Sequence, residues 1–223
     1  MRYLPINLDI RGKPVVVVGG GSVATRKCLT LIAAGARVTV IAPTLSSTLM
    51  ELAELEILIY LSRKYSEGDL AGAYLVFAAT DSPKVNREVA KEAEKSGIPA
   101  DIVDSPDLSA FTSPAIINRD ELLITVSTGG VAPALAGKIR EELEERYGPE
   151  YAELIKILGR VREKLLTEKV NSQYNKKVLR ALVEEKLPAL IKRNAFKEID
   201  RLLRKLCGPG YTLAELGLGE KDK

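Results

Sequence analysis

Hydrophobic positions along the chain follow two rhythms. In the first, short apolar runs alternate with helical patterns. Val15-Val16-Val17-Val18 is a continuous β-branched run, the pattern of a strand buried on both faces of a parallel sheet. A glycine cluster follows, then a helix pattern from Val23 to about Ala34, stopped by Gly35. Val38 to Ile41 predicts a second strand, broken by Pro43. Leu45 to about Leu55 predicts a helix, and Ile57 to Tyr60 a short strand. Tyr74 to Ala79 predicts a strand, after which Asp81-Ser82-Pro83 opens a helix to about Lys95. Asp101 to Val103 closes the series. Strands alternating with helices at this spacing predict a doubly wound α/β domain.

The second rhythm begins with two extended runs, Thr112 to Ile117 and Leu122 to Ser127, with a hairpin-like break at Asn118 to Glu121. Pro133 suits a first helical residue, and Ala134 to about Tyr147 predicts a helix. After Gly148-Pro149 the pattern is helical to about Leu206, with breaks near Val170-Asn171 and Leu187-Pro188. Gly219 to Lys223 predicts a frayed end.

Composition narrows the chemistry. The chain has 223 residues and no His, which removes Ser-His and Cys-His nucleophile pairs and His metal ligands. Two cysteines, Cys28 and Cys207, are too few for a Cys-only zinc site or a disulfide scaffold. Both are read as structural, and Tyr3, Tyr60, Tyr65 and Tyr74 as packing residues. No metal-ligating residues are predicted. No apolar run behind a basic start predicts a signal peptide, and none is long enough to span a membrane, so a cytoplasmic location is expected. Net charge is +3 but uneven: residues 151–223 carry 17 Lys+Arg against 10 Asp+Glu, and residues 1–150 carry 16 against 20. The basic excess offers cations for an anionic ligand, or simply a solvated face of amphipathic helices.

Directly after the four-valine strand stand Gly19-Gly20-Gly21-Ser22-Val23-Ala24. Gly19, Gly21 and Ala24 occupy the three positions of G-x-G-x-x-A. The first glycine allows the tight turn, the second lets a pyrophosphate approach the backbone, and the small third residue lets helix pack on strand. The strand before and the helix after supply the confirming context for a dinucleotide site. One part is missing. The second strand ends Ala42-Pro43-Thr44, without the acid that usually reads the ribose. No Arg follows directly to accept a 2′-phosphate, so NAD and NADP stay open on the motif alone. Thr44, Ser46 and Ser47 offer hydroxyls for the ribose.

Ligands of open α/β sheets sit beyond the carboxyl ends of the strands. Asp81 and Asp104 both fall there, each followed by Ser-Pro. Each reads equally as a turn or helix cap or as a proton acceptor in a chain without His, and the local sequence does not choose. Ser127-Thr128-Gly129-Gly130 before a helix offers backbone N–H groups to a carboxylate, or is a plain strand-to-helix turn.

Together these motifs resemble the precorrin-2 dehydrogenase/sirohydrochlorin ferrochelatase family, the N-terminal module of siroheme synthases. The matching stretches begin with Leu4-Pro5 and Leu8, then Val17-Val18-Gly19-Gly20-Gly21 through Ala24 to Arg26-Lys27, and Ala33-Ala34-Gly35-Ala36. They continue with Ala78-Ala79-Thr80-Asp81 and Asn86, Val103-Asp104-Ser105-Pro106, Phe111 with Pro114-Ala115, and Ser127-Thr128-Gly129-Gly130 with Pro133. They keep family-like order over roughly residues 1–145; beyond about 150 the likeness is only in being helical. The methyltransferase half of fused siroheme synthases does not fit in this length.

The resemblance implies a Rossmann-like NAD-binding domain over residues 1–111, a dimerisation region of hairpin plus helix over 112–148, and a helical C-terminal domain over 149–223. It implies a homodimer, NAD⁺-dependent oxidation of precorrin-2 to sirohydrochlorin and, in some members, Fe²⁺ insertion. Asp104 becomes the catalytic residue. Gly19, Gly20, Gly21, Ser22, Val23, Ala24, Ala42, Pro43, Thr44, Thr80 and Asp81 become the cofactor site, and Ser127, Thr128, Gly129 and Gly130 the tetrapyrrole site. One departure stands out: Asp101 occupies a position where Asn is expected, and a second carboxylate there would raise a neighbouring carboxyl pKa by repulsion. The main rival is a nucleotide-sensing regulatory module without catalysis, which would normally carry the missing ribose acid. A nucleic-acid role finds support only in the basic C-terminal part, against few aromatics and an acidic front.

Overall fold

The computed structural model describes residues 2–103, 105–168, 172–184 and 186–219. The chain divides into two compact units, Met1–Ser113 with Gly129–Ala132, and Pro114–Thr128 with Pro133–Lys223.

The first unit is a parallel five-stranded sheet with helices on both faces. Its strands are β1 (Pro14–Val18), β2 (Arg37–Ala42), β3 (Ile59–Ser62), β4 (Leu75–Ala78) and β5 (Ala100–Ile102), in the order β3-β2-β1-β4-β5. Its helices are α1 (Ser22–Ala33), α2 (Ser47–Glu54) and α3 (Pro83–Lys95). The strand order reverses at β1, which puts the switch point between β1 and β4. The four valines of β1 explain its central place. Val15 and Val17 pack with Ala24, Cys28 and Leu31 of α1, while Val16 and Val18 pack with Val89, Ala90 and Ala93 of α3. A period of two buried on both faces needs an apolar residue at every position.

The strands β3 and β5 are shifted from the sequence pattern. β3 starts at Ile59 rather than Ile57 because the chain first closes α2. Glu56 takes a left-handed φ of 57°, and the Ile57 N–H bonds the Leu52 carbonyl at 2.9 Å. β5 starts at Ala100, yet the Val103 N–H still reaches the Ala78 carbonyl at 2.9 Å.

The buried carboxylates of this unit, Glu92 and Asp101, both have hydrogen-bond partners. Lys27 of α1 meets Asp101 of β5 at 2.7 Å with side chains only 17% and 11% exposed. Ser113 donates to the same carboxylate oxygen at 2.8 Å, and the ammonium lies 5.3 Å from the Phe77 ring centre. Glu92 of α3 accepts from the Gly68 and Leu70 N–H groups, each at 3.0 Å, and from the Tyr65 hydroxyl. Tyr65 is therefore an anchor of the β3–β4 connection as well as a packing residue. Burial and the Glu92 carboxylate push its phenol pKa up.

The second unit opens with an antiparallel hairpin, β6 (Ala115–Arg119) and β7 (Leu122–Val126), in which Ile117 faces Ile124. The predicted break at Asn118–Glu121 is shorter than the pattern suggested. Asn118 and Arg119 pair with Leu123 and Leu122, and Asp120 turns the chain with φ 56°. Side-chain bonds hold the turn-side end. Arg119 donates to the Tyr147 carbonyl at 3.1 Å and meets Glu144 at 3.3 Å. Lys156 reaches Asp120 at 3.2 Å.

Five helices follow: α4 (Pro133–Arg146), α5 (Glu150–Thr167), α6 (Ser172–Glu184), α7 (Leu187–Lys192) and α8 (Phe196–Cys207). Leu154, Ile157, Val161 and Leu165 of α5 and Ile199, Leu203 and Cys207 of α8 share one core with Leu182, Leu187, Leu190 and Tyr211, the α5 and α8 sets each at the 3–4 spacing of one helical face. Arg201, Arg204 and Lys205 of α8 are exposed. Pro188 begins α7 rather than ending a helix. The α7–α8 break, absent from the sequence reading, uses Asn194 at φ 53°, a residue that tolerates the left-handed region. The break expected at Val170-Asn171 and the frayed end from residue 220 lie outside the described residues. Among the described residues no helix is long and apolar enough to cross a membrane.

The Lys27–Asp101 pair gives a stability test. Lys27→Met should cost about 3 kcal/mol, because it leaves a carboxylate desolvated with Ser113 as its remaining partner. Adding Asp101→Asn should recover most of that, as the amide carries no charge. Urea unfolding midpoints of the single and double variants read this directly.

Candidate functional site

The glycine loop is clamped between the ends of two strands. The Gly19 N–H donates to the Ile41 carbonyl of β2 at 2.9 Å, and the Gly20 carbonyl accepts from the Ser46 N–H at 2.8 Å. Gly19 has φ 126°, and a Cβ there would overlap the Ala79 carbonyl oxygen and lie 2.7 Å from its carbon. A Cβ at Gly20 would overlap the Thr44 carbonyl oxygen and sit 3.1 Å from the Ala42 Cβ. These two glycines are required by the fold.

Gly21 is different. A Cβ there meets nothing within 4 Å, and its φ of −84° suits any residue. It is the N-cap of α1, yet no side chain caps that helix. The other helices of the sheet are capped: Ser46 accepts from the Leu49 N–H of α2 at 3.3 Å, and Ser82 from the Val85 N–H of α3 at 3.4 Å. The first N–H groups of α1, at Ser22, Val23 and Ala24, therefore keep their donors for an external anion, and the helix dipole favours negative charge there. Ala24 is fully buried against β1, so the third fingerprint position serves packing.

The loop after β2 is joined to this glycine loop by hydroxyls. Thr25 donates to the Gly21 carbonyl at 2.9 Å and lies 2.8 Å from the Ser46 Oγ. Ser46, expected as a ribose contact, is thus committed to capping α2 and tying the two loops. Ala42 is buried, and Pro43 and Thr44 are exposed. No carboxylate occupies the end of β2. On the neighbouring strand, Tyr60 donates to the Pro43 carbonyl at 3.3 Å. Arg63, just past β3, is held by Asp69 through bonds of 2.6 and 2.7 Å; that guanidinium holds the Asp69 carboxyl below its ordinary pKa.

Beyond β4, Thr80 and Asn86 lock each other. The Thr80 hydroxyl reaches Asn86 Oδ1 at 2.7 Å, and Asn86 Nδ2 donates to the Thr80 carbonyl at 3.1 Å. Since Ser82 caps α3, Asp81 is left exposed without a hydrogen bond. Asp104 lies outside the described residues. Its flanks are fixed: the Ser105 N–H bonds the Ile102 carbonyl at 3.1 Å, and Ser109 bonds both Ile102 backbone groups and the Ser105 carbonyl. The charge of Asp101, expected to repel a neighbour, is matched by Lys27. Lys27 was missed as a partner; its signal was a lone Lys on the α1 face that also carries Ala24, Cys28 and Leu31. Within Ser127-Thr128-Gly129-Gly130, the first two residues fall in the second unit and the glycines in the first. Gly129 and Gly130 take φ 63° and 84°.

Two family models match the chain: one described as "Putative NAD(P)-binding" over residues 6–115, and one described as "Sirohaem biosynthesis protein central" over residues 119–146. A siroheme synthase of Stutzerimonas stutzeri is 37% identical over 225 residues, covering 99% of this chain and 47% of that protein. The chain is a homologue of the siroheme synthases. A siroheme synthase of Methylobacillus flagellatus is 43% identical over 164 residues, covering 73% of this chain and 35% of that protein. The chain thus spans a third to a half of the length of these curated relatives. A solved structure titled "SirC, precorrin-2 dehydrogenase" superposes with a TM-score of 0.72 at 26% identity, covering 89% of this chain and all of that one. The first unit of this chain is an NAD(P)-binding module. Its cysteines stand apart from the site: burial pushes Cys28 up to about 12 and Cys207 up to about 11, leaving thiols rather than thiolates at neutral pH.

Gly20 and Gly21 separate folding from binding. Gly21→Asp supplies the cap that α1 lacks, so stability should hold or rise by up to about 1 kcal/mol. The same carboxylate puts a negative charge at the α1 N-terminus, where the glycine motif predicts pyrophosphate, so NAD⁺ affinity should collapse. Gly20→Ala should instead lower the thermal midpoint through its clash with Thr44. Calorimetric titration with NAD⁺ and thermal unfolding of both variants check the pair.

Proposed function

We propose that the chain oxidises precorrin-2 to sirohydrochlorin with NAD⁺, and that the same site inserts Fe²⁺ into the product. The observation that carries this is the uncapped N-terminus of α1 behind Gly21, in a chain that matches a precorrin-2 dehydrogenase structure over nearly its whole length. Gly19 and Gly20 shape the turn, and the Ser22, Val23 and Ala24 N–H groups hold the pyrophosphate. Ala42, Pro43 and Thr44 border the adenosine ribose; Thr80 and Asp81 border the other end of the cofactor. NAD⁺, when bound, supplies the hydride acceptor. Preference for NAD⁺ over NADP⁺ is part of the proposal, and equal use of both would count against it.

Asp104 is the proton acceptor in this reading. Dehydrogenation releases a hydride and a proton from the reduced tetrapyrrole, and the chain contains no His to take the proton. In metal insertion the same carboxylate removes pyrrole N–H protons, with Fe²⁺ as substrate. Ser127, Thr128, Gly129 and Gly130 receive substrate carboxylates. The free, buried thiols suit a reducing, cytoplasmic setting.

The proposed organisation is an NAD-binding domain over residues 1–111, a dimerisation region over 112–148 and a helical domain over 149–223. Support for a homodimer comes from apolar side chains without cover: Ile116 and Leu123 on the hairpin and Leu135 on α4 are exposed. Light scattering at micromolar concentration should return twice the chain mass; a monomer would overturn this part.

Asp104→Asn keeps size and turn-forming capacity while removing the base. Dehydrogenation should fall about 10²–10⁴-fold with NAD⁺ affinity near normal, and Fe²⁺ insertion should fall with it. Asp81→Asn should cost little rate, because Ser82 already caps α3. Anaerobic assays with precorrin-2, NAD⁺ and then Fe²⁺ decide this; full activity in Asp104→Asn would sink the mechanism.

A further inference from the structure

One hydroxyl in the first unit is buried with nothing to bond. The Tyr3 Oη is shut off from water and has no hydrogen-bond partner. An unmade bond on a buried polar group is a cost that a structure rarely carries without reason. Its surroundings point to the reason. Tyr3 ring carbons lie 3.7 and 3.9 Å from the position that a Cβ on Gly129 would take. A Cβ on Gly130 would lie 3.7 Å from the Pro106 ring. Arg2 donates to the Pro106 carbonyl at 2.9 Å, reaches Asp107 at 3.5 Å, and stacks its guanidinium 5.1 Å from the Tyr3 ring centre. The N-terminal strap, the turn after Asp104 and the Gly129-Gly130 turn therefore converge within one unit. Val131, next along, is 89% exposed.

We infer that the Tyr3 hydroxyl is a substrate-binding donor, completed by a carboxylate of the tetrapyrrole that lies against Gly129-Gly130. This rests on the reading of the chain as a precorrin-2 dehydrogenase. A phenol can donate to an ionised carboxylate, giving a bond stronger than one between neutral groups. The exposed Val131 offers apolar surface to the macrocycle beside it. Residues 2–9 have no regular secondary structure, so the side chain can swing toward an arriving carboxylate without breaking a strand or helix. Sequence gave no such signal; Tyr3 read as a packing residue.

Tyr3→Phe removes the hydroxyl and nothing else. Since that hydroxyl has no partner in the free protein, stability in urea should be unchanged or slightly higher. The KM for precorrin-2 and the Kd for sirohydrochlorin should each rise about tenfold, with kcat and NAD⁺ affinity near wild type. A Phe variant with wild-type KM and Kd overturns the inference while leaving the dehydrogenase reading intact. A clear loss of stability overturns it too, by showing that the hydroxyl serves the fold. If the wild-type chain neither oxidises precorrin-2 nor binds sirohydrochlorin, the functional reading falls and this inference with it.

Discussion

Two carbonyl oxygens set the geometry on which the first unit depends. The Ala79 carbonyl at the end of β4 and the Thr44 carbonyl after β2 press against the glycine loop so closely that no side chain fits at Gly19 or Gly20. That closeness follows from the sheet order. β1 lies between β2 and β4, so the chain leaving β1 must pass between the two neighbouring strand ends before turning into α1. Bare backbone is the only solution, and it aims the free N–H groups of α1 outward from the switch point. Gly21 then stands apart from its neighbours. A Cβ there would meet nothing, and the space in front of it is the place proposed for a phosphate.

The same sheet shows why rigidity and binding are compatible here. β1 buries apolar side chains on both faces, so its position is set by two helical layers at once. The Thr25–Ser46 contact and the Thr80–Asn86 lock then fix the loops on either side of the glycine turn. Each lock joins a residue in the first turns of a helix, Thr25 of α1 or Asn86 of α3, to a hydroxyl in a loop. The backbone donors of α1 stay unmatched while Thr25, Ser46, Thr80 and Asn86 around them are bonded to one another.

Much of this was legible in the sequence, for definite reasons. A run of four valines has one use in an α/β chain, and a glycine cluster immediately after it has few. The element order of the first unit followed from those residues. Pairings between distant residues were not legible. Lys27 and Asp101 lie 74 positions apart, and nothing local in either marks the other. The Asp101 carboxylate looked like a source of repulsion because its neighbour in sequence is Asp104; in space its neighbour is an ammonium. Element ends also escaped where left-handed residues were not glycine. Glu56, Asp120 and Asn194 each take positive φ, and each moves a boundary that Gly and Pro could not mark.

Charge bookkeeping by segment is a poor guide to where an anion binds. The first 150 residues carry more acids than bases, yet the uncapped N–H groups of α1, proposed to bind phosphate, lie in that part. Charges on solvated side chains are screened over about 8–10 Å at ordinary ionic strength. The oriented N–H groups at a helix end act at contact distance, where screening counts for little. On α8, by contrast, Arg201, Arg204 and Lys205 lie on the exposed side of the helix, away from Ile199, Leu203 and Cys207. There the cations are the wet side of an amphipathic helix, and their pattern follows from its 3.6-residue period without any ligand. Local dipoles fixed by backbone geometry, rather than net charge, decide where an anion of this kind is held.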